Sequence, residues 1–291
     1  MKNSILITMC IAAAAAVSCY KEAPLTPDED APLYIIEDSD DPAQHYIYGL
    51  WESTGVYTLY EFNDVDYLWD VSSTSSNRLT LMDKAVLGDA VDYARTVLFD
   101  NYDDDFKKKY FPMKVFLADS VNHEYESEPF IDRVCGYGRS YLAIGKLRED
   151  AFPKSAEELL AAKGQINGML WGQFIYRNSL ITIPDGFFSP GNEYYRQSAS
   201  SSDQRDDPAY VKGLGFWSYD ETNLASDYMF PDMAGDVSDF VEMITSHTAD
   251  EMKAEMEGYE TLLVKYNILI EAVKDACGVD LQAIGDNKPI E

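Results

Sequence analysis

His45, His123 and His247 are the side chains in this sequence best suited to hold a transition metal. They stand far apart and share no ligand spacing with one another or with a cysteine pair, so they read as surface or loop residues. Asp100, Asp103, Asp104 and Asp105 form an acidic run, but it lacks the glycine and the terminal glutamate of a calcium-binding helix-loop-helix, and it reads as a solvated turn. Cys135 as a nucleophile would need a histidine base, and His123 is the one near it in sequence; a structural thiol is the simpler reading. Cys135 and Cys277 either pair in an oxidising compartment or stay as buried free thiols. Serine-hydrolase, phosphate-loop and dinucleotide signatures are absent, because no glycine-rich turn follows a strand pattern in the way those sites demand.

The element on which any site would depend is the stretch from Ser155 to Asn178. Leu159, Ile166, Met169, Leu170 and Phe174 recur at three- to four-residue spacing, which predicts a helix with one buried face. Ser155 with Glu158 three residues on forms a capping box at its start, and Pro153 lies just outside. Gly164, Gly168 and Gly172 fall four apart on one stripe. Each glycine inside a helix costs about 1 kcal/mol relative to alanine, so the stripe predicts a neighbour packed backbone to backbone.

Around this helix the pattern predicts an α+β domain. Val56 to Phe62 and Tyr67 to Ser72 read as strands joined through Asn63, Asp64, Val65 and Asp66. Leu81 to Phe99 and Asp105 to Tyr110 have helical spacing. Met113 to Ala118 and Ser140 to Ile144 have strand composition, with Gly136, Tyr137 and Gly138 as a tight turn before the second. From Ser179 to Gly235 the chain reads as a long irregular region. Its Phe187, Phe188, Tyr194, Tyr195, Phe216, Trp217 and Tyr219 make it aromatic enough for a binding loop, although some of these rings must anchor it. The 21 tyrosines of the chain could line a sugar-binding face, but sheet packing is the more frequent use of such aromatics, because they are favoured on half-buried strands. Helices follow at Asp236 to Ser246, from Thr248 with Glu251 as a capping pair, and along the Leu262, Tyr266, Leu269, Ile270, Val273 stripe that ends before Gly278.

At the other end, Lys2, an apolar run from Ile5 to Val17 and small residues before Cys19 have the layout of a secretory leader over residues 1–18, too short to span a membrane. Ala16, Val17, Ser18 and Cys19 resemble a bacterial lipoprotein signal with Cys19 as the lipidated first residue. Lys21 and Glu22 behind it resemble an export signal to the outer face of the outer membrane. Residues 19–44 are rich in Pro, Asp and Glu and read as an acidic tether, leaving 45–291 as the folded domain. The formal net charge is −28, and loss of Lys2 with the leader makes it one unit more negative. Such a surface repels phosphate backbones and anionic headgroups, which argues against nucleic acid and against direct adsorption to an acidic bilayer; the anchor would be the lipid on Cys19.

Several segments occur in an order that resembles a known family. Phe106 to Ser120, the helix at 155 to 178, Gly213 to Ser218, Asp239-Phe240-Val241-Glu242-Met243, and Leu269 to Ile284 with Gly278-Val279-Asp280-Leu281 are similar to the zinc-binding metallopeptidase lipoproteins found beside starch-utilisation-type outer-membrane import systems. The similarity spans most of the chain after the leader. It implies a zincin-like single domain: a mixed sheet with helices toward the N-terminus, a central helix, and helices toward the C-terminus. That family carries a His-Glu-x-x-His motif on the central helix, two metal ligands one turn apart and a glutamate base. Here the helix has no histidine. With the family's following glutamine placed on Gln173, the ligand positions fall on Gln165 and Met169 and the base on Ile166. The family's further acidic run falls on Ser238 to Met243, so its two glutamate positions become Ser238 and Glu242, either of which could correspond to the third ligand.

The resemblance therefore implies an outer-membrane lipoprotein facing outside the cell, with a metallopeptidase-like fold, no zinc site, no cofactor and no catalytic residues. It would act as an accessory or binding component beside a porin-type import complex with a glycan or peptide ligand. An active zinc metallohydrolase using a non-standard ligand set that includes Glu242, or a structural surface protein, are the alternatives.

Overall fold

Local capping chemistry sets the helix starts. Asp41, Asp83, Asp103, Ser155, Asp207, Asp232, Thr248 and Asp280 each turn a side-chain oxygen onto a backbone N–H of the first turn, satisfying donors that no intrahelical carbonyl can reach. The computed structural model describes residues 34–68, 77–123, 131–199, 207–219 and 229–288. The chain divides into residues 1–35, almost all outside the described residues, and a folded unit over 36–291. The leader, Cys19 and most of the tether lie outside the described residues.

In chain order the folded unit has α1 (Pro42–Thr54), β1 (Tyr57–Leu59), α2 (Asp64–Leu68), β2 (Asn77–Leu81), α3 (Leu87–Val97), α4 (Asp104–Tyr110), β3 (Lys114–His123), β4 (Cys135–Tyr137) and β5 (Tyr141–Ile144). Then come the central helix α5 (Ala156–Gly168), continued as a π-helix over Met169–Tyr176, and α6 (Asp185–Phe188), α7 (Pro208–Gly213), α8 (Met233–Ser246), α9 (Ala249–Glu255), α10 (Glu260–Cys277) and α11 (Leu281–Asp286). The fold is α+β, as read from the pattern. β1, β3 and β5 run parallel in the order β1-β3-β5-β4, β4 returns antiparallel on β5, and β2 pairs antiparallel with the far half of β3. Val115, Phe116, Leu117, Leu142, Ala143 and Ile144 are fully buried. This burial on both faces explains why β3 and β5 read as continuous apolar runs.

Several expectations change. Tyr67 belongs to α2, not to a strand, and residues 69–72 of that expected strand lie outside the described residues. Asn63 Oδ1 accepts from Val65 N–H at 2.9 Å while Asp66 Oδ2 accepts from Asn63 N–H at 2.7 Å, a reciprocal pair that starts a helix where a loop was expected. The first strand is confined to 57–59. Leu81 ends β2, and the helix after it begins only at Leu87, behind a 3₁₀ turn capped by Asp83. Gly136 and Tyr137 are strand residues, and the turn follows them, closed by Gly138 N–H to Tyr141 O at 3.0 Å. A Cβ on Gly136 would lie 2.8 Å from Val121 Cγ1, so close packing explains that glycine. α1 begins at Pro42 and draws the last residues read as tether into the folded unit. The region 179–235 contains α6, α7 and the start of α8.

Polar groups on the central helix tie it to its surroundings. Trp171 Nε1 donates to Tyr102 Oη at 2.8 Å, Tyr102 Oη donates to Asn167 Oδ1 at 2.6 Å, and Asn167 Nδ2 donates to Val97 O and Lys163 O. All of these groups are buried and satisfied, so the network locks helix against helix. Lys163 is 1% exposed and donates to Ile284 O at 2.5 Å and Asn287 O at 2.9 Å, pinning α11 and the residues after it to α5 through carbonyls. Burial lowers its pKa from 10.5 to about 8. The unfolded chain thus holds a proton between those values that the folded chain lacks, and the resulting penalty on stability eases as pH rises. Unfolding free energy of the wild type minus that of Lys163→Met is expected to rise by about 1 kcal/mol from pH 7 to pH 9. Denaturant titrations at the two pH values check it; a flat difference would mean Lys163 is not perturbed.

Candidate functional site

The glycine stripe is met by α8. A Cβ on Gly164 would sit 2.7 Å from Glu242 O, one on Gly168 2.6 Å from Ser238 O, and one on Gly172 2.3 Å from Ala234 O. No side chain larger than hydrogen fits at these points without displacing backbone, so the two helices cross in direct main-chain contact, as the spacing predicted. This contact brings the segment carrying Ser238 and Glu242 against the central helix. A Cβ on Gly168 would also lie 3.2 Å from Glu242 Cβ.

The sequence-derived positions distribute around this seam as follows. Gln165 is exposed and Met169 half-buried, one turn apart on the solvent side of the helix, with Ser238 and Glu242 half-buried on the facing α8. Ile166 is fully buried in the hydrophobic core, so the position matched to the family's base points into packed hydrocarbon. Cys135, on the sheet's edge strand β4, donates its thiol to Gln165 O at 3.7 Å. Burial, with a smaller push from Glu242, raises this thiol to about 12, which removes it as a nucleophile at neutral pH. Cys135 and Cys277 are both free thiols. His45 is exposed and pairs with Asp38 at 2.7 Å, and His247 Nδ1 lies 2.9 Å from both Ser246 Oγ and Met243 O at the end of α8.

The donor chemistry around the seam does not fit zinc. The positions matched by resemblance carry an amide, a thioether, a hydroxyl and one carboxylate, and thioether and amide ligands suit this ion poorly. Among the described residues no group of three His, Cys, Asp or Glu side chains is placed to hold a metal.

Past Met169 the central helix widens to π geometry, with Arg177 N–H bonded to Gly172 O and Leu180 N–H to Ile175 O, five residues back in each case. Such segments gather at functional sites. Gln173 Nε2 donates to Ser238 Oγ at 3.4 Å, and Gln173 Oε1 accepts from Arg177 Nε and Nη2 at 3.0 and 2.7 Å. Arg177 and Arg196 then converge on Asp232 Oδ2 at 3.0 and 2.9 Å, while Asp232 Oδ1 caps α8 through Gly235 N–H. Burial would raise the Asp232 carboxyl; bonds from Arg196, Gly235 N–H and Arg177 outweigh it and hold the pKa below its ordinary value. A cavity of about 900 Å³ opens beside this cluster, within the size range of small-molecule sites.

Beneath it, Lys265 Nζ lies 2.7 Å from both oxygens of Asp236 and from Gly215 O, under the rings of Phe187, Phe216 and Phe240 at 4.6 to 4.7 Å. Tyr195 Oη donates to Asp236 at 2.5 Å. Burial works to raise the pKa of Asp236 and lower that of Lys265, while each partner's charge and hydrogen bonds work against the shift. Phe187 and Phe216 from the aromatic region are therefore anchors, whereas Phe188 and Tyr195 reach the cavity wall. Sequence reading flagged that region but passed over Arg177, Arg196 and Asp232; an arginine closing an amphipathic helix was the one available signal.

Comparisons with protein families and with curated proteins return no match. Among solved structures the chain is similar to a "putative zinc-binding metallo-peptidase" from Bacteroides caccae ATCC 43185, with a TM-score of 0.54 and 11% identity over 86% of this chain and 92% of that one. At that identity the likeness is one of fold, a metallopeptidase-like α+β architecture.

The seam yields a direct test. Gly168→Leu would force α8 away from the central helix and is expected to destabilise the protein by about 1 to 3 kcal/mol or more. An unchanged melting curve would mean the helices do not touch there.

Proposed function

We propose that this protein is an outer-membrane lipoprotein, anchored through lipid on Cys19 and facing outside the cell, that uses a metallopeptidase-like scaffold without a zinc site as an accessory or binding component of a glycan or peptide import system. The observation that carries this reading is the set of side chains flanking the glycine seam. Gln165 and Met169 stand where the resemblance puts metal ligands, Ile166 is hydrocarbon in the core, and Glu242 is the one carboxylate among those positions. Metallopeptidase hydrolysis needs a metal to lower the pKa of a bound water and a base to take its proton; these residues supply neither. The fold likeness supports the scaffold part of the proposal, and the cavity beside Arg177 supports the binding part. No helix among the described residues is long and apolar enough to cross a membrane. The strongly negative charge disfavours nucleic acid as a partner.

Two experiments test the proposal. Gln165→His with Met169→His restores two imidazoles one turn apart beside Glu242 while sparing the buried Ile166. This double variant is expected to retain zinc near one per chain after dialysis; elemental analysis finding none would contradict the alignment of this helix with the metallopeptidase motif. Cys19→Ala is expected to move the protein from the outer-membrane to the soluble fraction, and continued partitioning with membrane would contradict lipid anchoring.

A further inference from the structure

The cavity at the end of the π-helix has a lining whose chemistry narrows the ligand. Among the described residues its charged side chains are Arg177, Arg196, Asp185 and Asp232, two of each sign, so this described wall is balanced in charge on a protein of net charge −28. Polyanions are repelled by the whole molecule, and a monoanion would have to compete with Asp232 for both guanidiniums. A cation would meet both arginines. The site thus favours a neutral ligand.

Its polar groups are planar and preset. Arg177 is held by Gln173 and Asp232 through three contacts, fewer than the five N–H donors of a guanidinium. The exposed amide of Asn192 and the exposed carboxylate of Asp185 add a mixed donor and acceptor pair and two acceptor oxygens. Such forks match neighbouring hydroxyls, which each donate one hydrogen bond and accept others. Rings line it as well: half-buried Tyr176 and Tyr195 offer apolar surface for the C–H face of a ring, with buried Phe188 5.4 Å from Tyr176 at 35° and 6.3 Å from Tyr195. Ser179 and Arg196, both on the lining, hold left-handed backbone at φ 57° and 60°, a conformation uncommon for residues other than glycine and typical of sites where position matters more than local stability. The lining comes from the π-helix end and the segments after it, and none of the described strands contributes a residue, so an extended peptide would find no β-edge to pair with.

We infer that this cavity is a binding site for a neutral oligosaccharide, with Tyr176 as the stacking platform and Arg177, Asp185 and Asn192 as hydroxyl partners. The inference rests on the binding-component reading above and names where and what the component binds. Saturation-transfer NMR on the full chain in detergent, with maltotetraose, cellotetraose, xylotetraose and chitotetraose as separate probes and an end-blocked tetra-alanine as the peptide probe, tests it. At least one saccharide is expected to receive saturation on its ring protons, and Tyr176→Ala and Asn192→Ala are each expected to weaken its binding at least fivefold. Asn192 is exposed, so its variant should melt with the wild type and serve if Tyr176→Ala fails to fold. Saccharide binding untouched by Asn192→Ala would overturn the assignment of the site. Peptide binding that the variants weaken, without saccharide binding, would overturn the ligand class but keep the binding-component reading. Binding of neither probe type would overturn both.

Discussion

The main-chain contact between the central helix and α8 over Gly164, Gly168 and Gly172 is the constraint on which this molecule is arranged. Backbone-to-backbone approach forbids a Cβ at three successive turns and so fixes both the separation and the register of the two helices. Everything around the seam follows from that register. Ile166, Leu170 and Phe174 are turned into the core beside Val237, Phe240 and Val241, while Gln165, Met169 and Gln173 are left along the outer lip opposite Ser238 and Glu242. The three helical glycines cost about 3 kcal/mol together in intrinsic propensity relative to alanine, and the packing of both helices into one core offsets it.

The same register places two polar assemblies with different roles. Lys265 and Asp236 are wholly buried, surrounded by Phe187, Phe216 and Phe240, and join α10 to α8. Removing either partner alone would leave an uncompensated buried charge, a loss of about 3 to 5 kcal/mol, so the pair ties the cavity's floor to the helical layer. One turn before Asp236, Asp232 caps the same helix and gathers Arg177 and Arg196 at the surface. The first assembly is structural because every polar atom is spent inside it. The second is open to solvent, and its Arg177 makes three contacts with five N–H donors, which suits it to binding.

Much of this was legible in the residues. The glycine stripe announced a close neighbour, the Thr248 and Glu251 capping box and the Gly278 C-cap stand where their chemistry put them, and the apolar runs of β3 and β5 marked the buried sheet. What escaped is equally physical. Asn63 and Asp66 have turn-forming side chains that here accept from the backbone N–H groups of Val65 and Asn63 and so cap a helix, and only the resulting Tyr67 contacts with Phe116 and Phe62 reveal it. Gly136 is set by Val121 on another strand, a contact of long sequence separation. The widening of the central helix to π geometry has no spacing signature in the apolar residues. Of the site, the positions of Gln165, Met169, Ser238 and Glu242 rested on resemblance, while the Arg177, Asp232, Arg196 cluster is assembled from three distant segments.

The central claim is that a metallopeptidase-like fold here carries side chains that do not hold zinc. Calorimetric titration of zinc into the chelator-treated wild-type chain addresses it most directly. The account predicts no saturable uptake at micromolar zinc beyond weak surface binding by carboxylates. One-to-one binding at submicromolar zinc that Glu242→Ala abolishes would contradict it.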